Sequence, residues 1–264
     1  METTVKCISM VFSRDGKYLL MVGGVPDFKI SIYSLQDSKM LLIPDNTSLP
    51  CKADEFLQCK FNPANNNQFV ILSQTTIYNM VLHPAYKVTE KVNEKKIADS
   101  FRIEKQTFKH DNPDLQFTRF IWDQYQRVHV LTDTNLLIQV YPKKCSLEGQ
   151  MSLSSRPVGI ILTQKHLILS LEEGLLQWFQ VEPPPLNVLG DKDQQDQKGC
   201  TILEEVDQEW YFGVKVGESN VPDYITYLHY SRGFKTLICG TETGVFGTLD
   251  IEAEAINEEE EEDE

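Results

Sequence analysis

The stretch Phe12-Ser13-Arg14-Asp15-Gly16-Lys17-Tyr18-Leu19-Leu20-Met21-Val22-Gly23-Gly24, followed by Lys29-Ile30-Ser31-Ile32-Tyr33, decides the fold. An apolar run ends on an aromatic at Phe12. Asp15-Gly16 then supplies a tight turn, because glycine accepts positive φ and aspartate can cap the bend. Tyr18 to Val22 is apolar, Gly23-Gly24 marks a second turn, and Lys29 to Ile32 alternates polar and apolar. A period of two is that of a half-buried strand. The segment predicts three strands joined by two turns.

The same order returns four times. Phe61-Asn62-Pro63 precedes Gln68 to Leu72 and Thr76 to Val81; Trp122-Asp123 precedes Val128 to Leu131 and Leu136 to Tyr141. Leu162-Thr163 precedes Leu167 to Ser170 and, past Glu172-Glu173-Gly174, Leu175 to Phe179; Tyr230-Ser231 precedes Thr236 to Gly240 and Val245 to Leu249. The anchors at 12, 61, 122, 162 and 230 are 49, 61, 40 and 68 residues apart. A WD-repeat blade runs about 40–45 residues. One spacing is therefore the basic unit, and the others carry insertions. Three strands plus a fourth leading onward make a four-stranded blade. The expectation is an all-β, WD40-like β-propeller of about five four-stranded blades over residues 1–251, forming an incomplete or partial ring. No stretch has a useful helical period. Val88 to Phe101 reads as a surface insertion, and Glu182 to Gly199, with Pro183-Pro184-Pro185, as an extended loop.

The 264 residues carry 25 Lys and Arg against 39 Asp and Glu, a net charge of −14. That balance argues against non-specific nucleic-acid or anionic-membrane binding, which needs a basic face. Nine of the acids lie in 252–264, so the rest of the chain carries only −5. A run of like charge repels itself and buries little, so 252–264 is expected to be a disordered acidic tail. No window approaches the roughly 18 apolar residues of a membrane span. The six cysteines, Cys7, Cys51, Cys59, Cys145, Cys200 and Cys239, form no C-x-x-C. Their spacing reads as reduced, intracellular thiols, with neither a disulfide frame nor a zinc site.

Chemistry-bearing motifs are missing from the pattern. There is no G-x-G-x-x-G, no G-x-x-x-x-G-K-[ST] and no G-x-S-x-G. His83, His110, His129, His166 and His229 share no metal or catalytic spacing, and His129 alternates with Val128 and Val130 as a strand residue would. No catalytic residue, metal, cofactor or small-molecule substrate is expected. The better binding candidates are aromatic. Trp210-Tyr211-Phe212, read as lying in an insertion, together with Tyr224 and Tyr227, form the candidate interface, since Tyr and Trp are frequent hot-spot residues.

The Trp-Asp dipeptide closes no strand here. The F-S-x-D-G-K-Y-L segment at Phe12 to Leu19, joined to Gly24-Val25-Pro26-Asp27-Phe28 and to Phe61-Asn62-Pro63, nonetheless resembles the repeats of the WD-repeat cilia- and flagella-associated protein family, among them proteins 57, 43 and 44. The resemblance spans roughly residues 5–250 and is strongest over 5–82. It implies a non-catalytic scaffold of the ciliary or flagellar axoneme, part of the cytoskeleton in the cytoplasm. Its partners would be dynein-arm or doublet-microtubule proteins near the inner dynein arms, with an influence on motility. Family members continue into coiled coils that are lacking here, which weakens the case for microtubule anchoring by this chain alone. Two other readings stay open. One is a soluble adaptor outside cilia, such as a ubiquitin-ligase substrate receptor; the other is a propeller enzyme, which would need acids or histidines converging on a channel.

Overall fold

The computed structural model describes residues 7–24, 29–41, 55–85, 100–181, 204–211, 213–216 and 219–251. All regular structure among them is strand, apart from one 3-10 turn at Glu172–Gly174. The first sheet holds β1 (Cys7–Phe12), β2 (Tyr18–Gly23), β3 (Ile30–Ser34) and β4 (Lys39–Leu41), in that order. The second holds β5 (Phe56–Asn62), β6 (Asn65–Ser73), β7 (Thr76–Ala85) and β8 (Ser100–Lys109). In the third are β9 (Phe117–Trp122), β10 (Val128–Thr132), β11 (Leu136–Tyr141) and β12 (Ser146–Ser152). The fourth is built from β13 (Pro157–Leu162), β14 (His166–Leu171), β15 (Leu175–Gln180) and β16 (Glu204–Tyr211). After a hairpin of β17 (Gly213–Val216) and β18 (Ser219–Pro222), the fifth sheet has β19 (Ile225–Ser231), β20 (Thr236–Thr241) and β21 (Phe246–Asp250).

The five repeats are therefore five sheets. Four have four strands, and the fifth has three among the described residues. The hairpin β17–β18 had no counterpart in the sequence reading. Two further differences concern fourth strands. Ser100 and Phe101, assigned to an insertion, open β8. Trp210 and Tyr211, read as lying in an insertion, end the strand β16 (Glu204–Tyr211), with Leu176 opposite Trp210 and Leu175 opposite Tyr211. The rest of the expected insertions at 88–101 and 182–199, and the tail at 252–264, lie outside the described residues.

Register shows how closely the sheets are related. A bulge lies between Cys7 and Ser9 in β1, between Phe56 and Gln58 in β5, between Pro157 and Gly159 in β13 and between Ile225 and Tyr227 in β19. In each case the bulge opens five residues before the anchor at 12, 61, 162 or 230. A bulge bends the strand and raises its twist, so the same bend recurs in these four first strands. The turns recur as well. Gly16 has φ 68°, and its amide donates to the Ser13 carbonyl at 3.0 Å. Asp15 accepts from the Ser13 hydroxyl at 2.7 Å and the Lys17 amide at 3.1 Å.

The chain forms two compact units, Met1–Val128 with Val140–Leu147 and His129–Gln139 with Glu148–Glu264, whose boundary runs through the third sheet. In the first unit, β1 lies beside β5 and β5 beside β9. The facing side chains include Leu20, Val22 and Ile32 from the first sheet and Phe61, Phe69 and Ile71 from the second, all buried. Phe61 meets Phe69 edge to face at 5.8 Å. A buried amide chain crosses the second sheet: Asn62 donates to Gln68 at 2.8 Å, Gln68 to Asn79 at 2.9 Å, and Asn79 to the Pro142 carbonyl at 3.0 Å. In the second unit, β13 lies beside β19. Ile168, Leu176 and Trp178 pack against Tyr230, Leu237 and Cys239.

Candidate functional site

Of the aromatics singled out in the sequence, Trp210 and Tyr211 lie on the backbone of β16, Phe212 falls outside the described residues, and Tyr227 lies on β19 of the fifth sheet. Tyr224 immediately precedes β19, and its carbonyl accepts from the Glu242 amide at 2.9 Å. The neighbouring Asp223 accepts from the Thr243 hydroxyl at 2.5 Å. The Thr241 and Thr243 hydroxyls stabilise that carboxylate and hold its pKa below the ordinary value.

Tyr227 is 53% exposed on β19. It pairs with Gly240, which pairs in turn with Phe246 on β21. Phe246 is 74% exposed. A side chain built on Gly240 would meet the Tyr227 Cβ at 3.4 Å and the Phe246 ring at 3.8 Å. The Phe246 ring and the Tyr227 side chain thus close over the glycine. His229, two residues on, stacks on the Tyr227 ring with centroids 6.3 Å apart and planes 20° apart. His229 pairs with Ile238, which pairs with Thr248. These residues share one face of the sheet, and the opposite face, with Leu237 and Cys239, packs on the fourth sheet.

A second surface escaped the sequence reading. Met10 and Phe12 on β1 are 62% and 61% exposed. Met10 pairs with Met21; Phe12 pairs with Leu19, Leu19 with Tyr33 and Tyr33 with Met40. Met40 is exposed too, and Leu19, Met21 and Tyr33 are part-exposed. All lie on the face away from the second sheet. Scattered exposed apolar residues are ordinary, but a contiguous apolar sheet face marks an interaction surface. The available signal was the repeat itself. Aligning Phe12 with Phe61 sets Met10 and Leu19 on Cys59 and Phe69, which are core residues.

The polar groups between sheets hold structure. The Ser9 hydroxyl accepts from the Cys59 amide at 3.1 Å, and the Gln58 side chain accepts from the Phe120 amide at 3.1 Å. Lys60 donates to the Phe120 carbonyl at 3.0 Å, and the Trp122 indole donates to the Lys60 carbonyl at 3.2 Å. Burial, with Arg119 nearby, lowers the Lys60 pKa to about 8. Burial pushes the Cys59 thiol up to about 11, which leaves it protonated at neutral pH. Arg127 meets Asp123 at 2.6 Å in a fully buried ion pair. His129 lies on β10, as the alternation predicts, and is buried because that strand is covered on both faces. Among the described residues no three His, Cys, Asp or Glu side chains come together to hold a metal ion.

No protein-family profile and no curated protein matches the chain. Solved structures do. The β-propeller domain of Cps50 (Swd1) from Myceliophteria thermophila is similar with a TM-score of 0.58 and 15% identity, over 93% of this chain and 73% of that one. Raptor from Chaetomium thermophilum is similar with a TM-score of 0.62 and 12% identity, over 95% of this chain and 20% of that one. The C-terminal WD40 domain of Sif2 gives a TM-score of 0.53 and 9% identity, over 93% and 69%. Together with the repeated sheets, these likenesses establish the fold as a WD40-type β-propeller.

Proposed function

We propose that this chain is a non-catalytic protein-interaction scaffold of the ciliary or flagellar axoneme, binding dynein-arm or doublet-microtubule proteins. The observation that carries the scaffold reading is the fifth-sheet face, where Tyr227 and Phe246 stand open to solvent on either side of Gly240. Exposed aromatics on a rigid sheet lose little entropy on binding and are preferred anchors. Support for the axonemal setting comes from the resemblance of the Phe12 to Leu19 and Phe61 to Pro63 segments to the cilia- and flagella-associated repeats. The test is a tagged full chain expressed in motile ciliated cells. The expected result is decoration of isolated axonemes, lost in the double variant Tyr227→Glu, Phe246→Glu. A diffuse cytoplasmic signal for the unaltered chain would favour an adaptor outside cilia.

A further inference from the structure

The interface between neighbouring sheets is a repeated object with two distinct sides. Within the first unit, one side is the face of the first sheet built on Val11, Leu20 and Ile32. The other is the face of the second sheet built on Cys59, Phe61, Phe69 and Ile71. Cys59 is 2% exposed there and Phe61 7%. The common bulge and anchor align the first, second, fourth and fifth sheets residue by residue. Met10, Phe12, Leu19 and Met21 then occupy the places of Cys59, Phe61, Phe69 and Ile71. The first sheet thus presents to solvent the side that its neighbour buries.

The fifth sheet presents the complementary side. His229, Ile238 and Thr248 take the places of Val11, Leu20 and Ile32. Tyr227, Gly240 and Phe246 take those of Ser9, Val22 and Ile30. The polar link between sheets has its counterparts too. Ser9 and Gln58 each receive the amide of the next sheet, from Cys59 and Phe120 respectively, at 3.1 Å. The fifth-sheet residue at that position is Tyr227, and the first-sheet residue at the amide position is Met10.

We propose that two copies of this chain associate head to tail, the Tyr227–Gly240–Phe246 face of one packing on the Met10–Phe12 face of the other as successive sheets pack within each unit. This rests on reading the fifth-sheet face as a protein-binding surface, and it names the partner as a second copy. The fifth-sheet face is more polar than its equivalent in the first sheet. His229 and Thr248 stand where Val11 and Ile32 do, so the contact forms and dissociates in the manner of a surface that is also stable in water. Because the two sides differ, the contact is heterologous, and each copy keeps one free side for a further copy.

Sedimentation velocity on the full chain tests this with Phe12→Glu and Phe246→Glu, both at exposed positions, with circular dichroism checking that each variant folds. The unaltered chain is expected to form a concentration-dependent series of dimers and larger species. Each variant alone is expected to be a monomer of 30.3 kDa. An equimolar mixture of the two, with one intact side apiece, is expected to form dimers of twice that mass and nothing larger. A monomeric unaltered chain, a variant that still self-associates, or a mixture that stays monomeric would each overturn the proposal. Loss of axonemal decoration in the Tyr227→Glu, Phe246→Glu variant alongside a monomeric unaltered chain would leave the scaffold reading standing and remove only the second copy.

Discussion

Asp123 is wholly buried, and its carboxylate accepts from the Arg127 guanidinium at 2.6 Å, the Tyr125 amide at 2.8 Å and the Arg127 amide at 2.9 Å. One side chain thus closes the β9–β10 turn and neutralises a buried cation. Removing it takes the carboxylate from the buried Arg127, and breaking a buried pair costs roughly 3–5 kcal/mol. Asp123→Ala is expected to lose about that much stability in urea titrations. Lys60 gives a pH signature. Its folded pKa of about 8 lies below the ordinary 10.5, so the unfolded chain binds more protons between those values and stability rises with pH across that window. Urea midpoints of the protein are expected to climb from about pH 8 to 10.5 relative to those of Lys60→Met. Parallel profiles would show that burial does not perturb the amine. At this scale the sequence was a good guide to turns. Asp15-Gly16 has the expected hydrogen bonds and positive φ, because turn chemistry is local. Asp123–Arg127 passed unnoticed, since nothing in Asp123-Gln124-Tyr125-Gln126-Arg127 shows that the pair is sealed from water.

First, second and third strands were legible because their apolar runs are confined between turn residues. Fourth strands were not. β8 contains Arg102, Glu104 and Lys105, and β16 contains Glu204, Glu205, Asp207 and Glu209. Edge strands carry charge that discourages unwanted pairing, and the charge hides their period from a pattern search. Trp210 and Tyr211, read as lying in an insertion, are on β16, whose acidic residues hide its period. Element packing also makes a sharp prediction at the β13 bulge. A methyl at Gly159 would lie 2.5 Å from the Ser170 hydroxyl, itself buried and with no hydrogen-bond partner among the described residues. Gly159→Ala is expected to cost about 1–3 kcal/mol by overpacking. Ser170→Ala is expected to be near neutral and to restore most of that loss in the double variant. A double-mutant cycle in thermal melts reads the coupling, and additive effects would show that the hydroxyl is not the obstacle.

For the whole molecule, the repeat spacing gave the architecture while the two exposed sheet faces stayed hidden. Periodicity reports that a strand has an apolar side; it does not report whether a neighbouring sheet covers that side. Met10 and Phe12 look like core residues in sequence, and only their exposure distinguishes them from Cys59 and Phe61. If those faces are the two sides of one repeated interface, a disulfide trap will join them. The Ser9 hydroxyl oxygen and the Cys59 sulfur lie 3.3 Å apart across the interface within the first unit, close enough for side chains at these positions to be bridged. Tyr227→Cys and Met10→Cys stand at the equivalent positions in two different copies. They are placed in separate chains, each also carrying Cys7→Ser, and the mixture is oxidised and digested for mass spectrometry. The expected product is a peptide pair linked through positions 227 and 10, formed in the mixture and lost when the chains are unfolded before oxidation. Links scattered among other thiols with no 227–10 pair, or the same pattern from unfolded chains, would contradict the account.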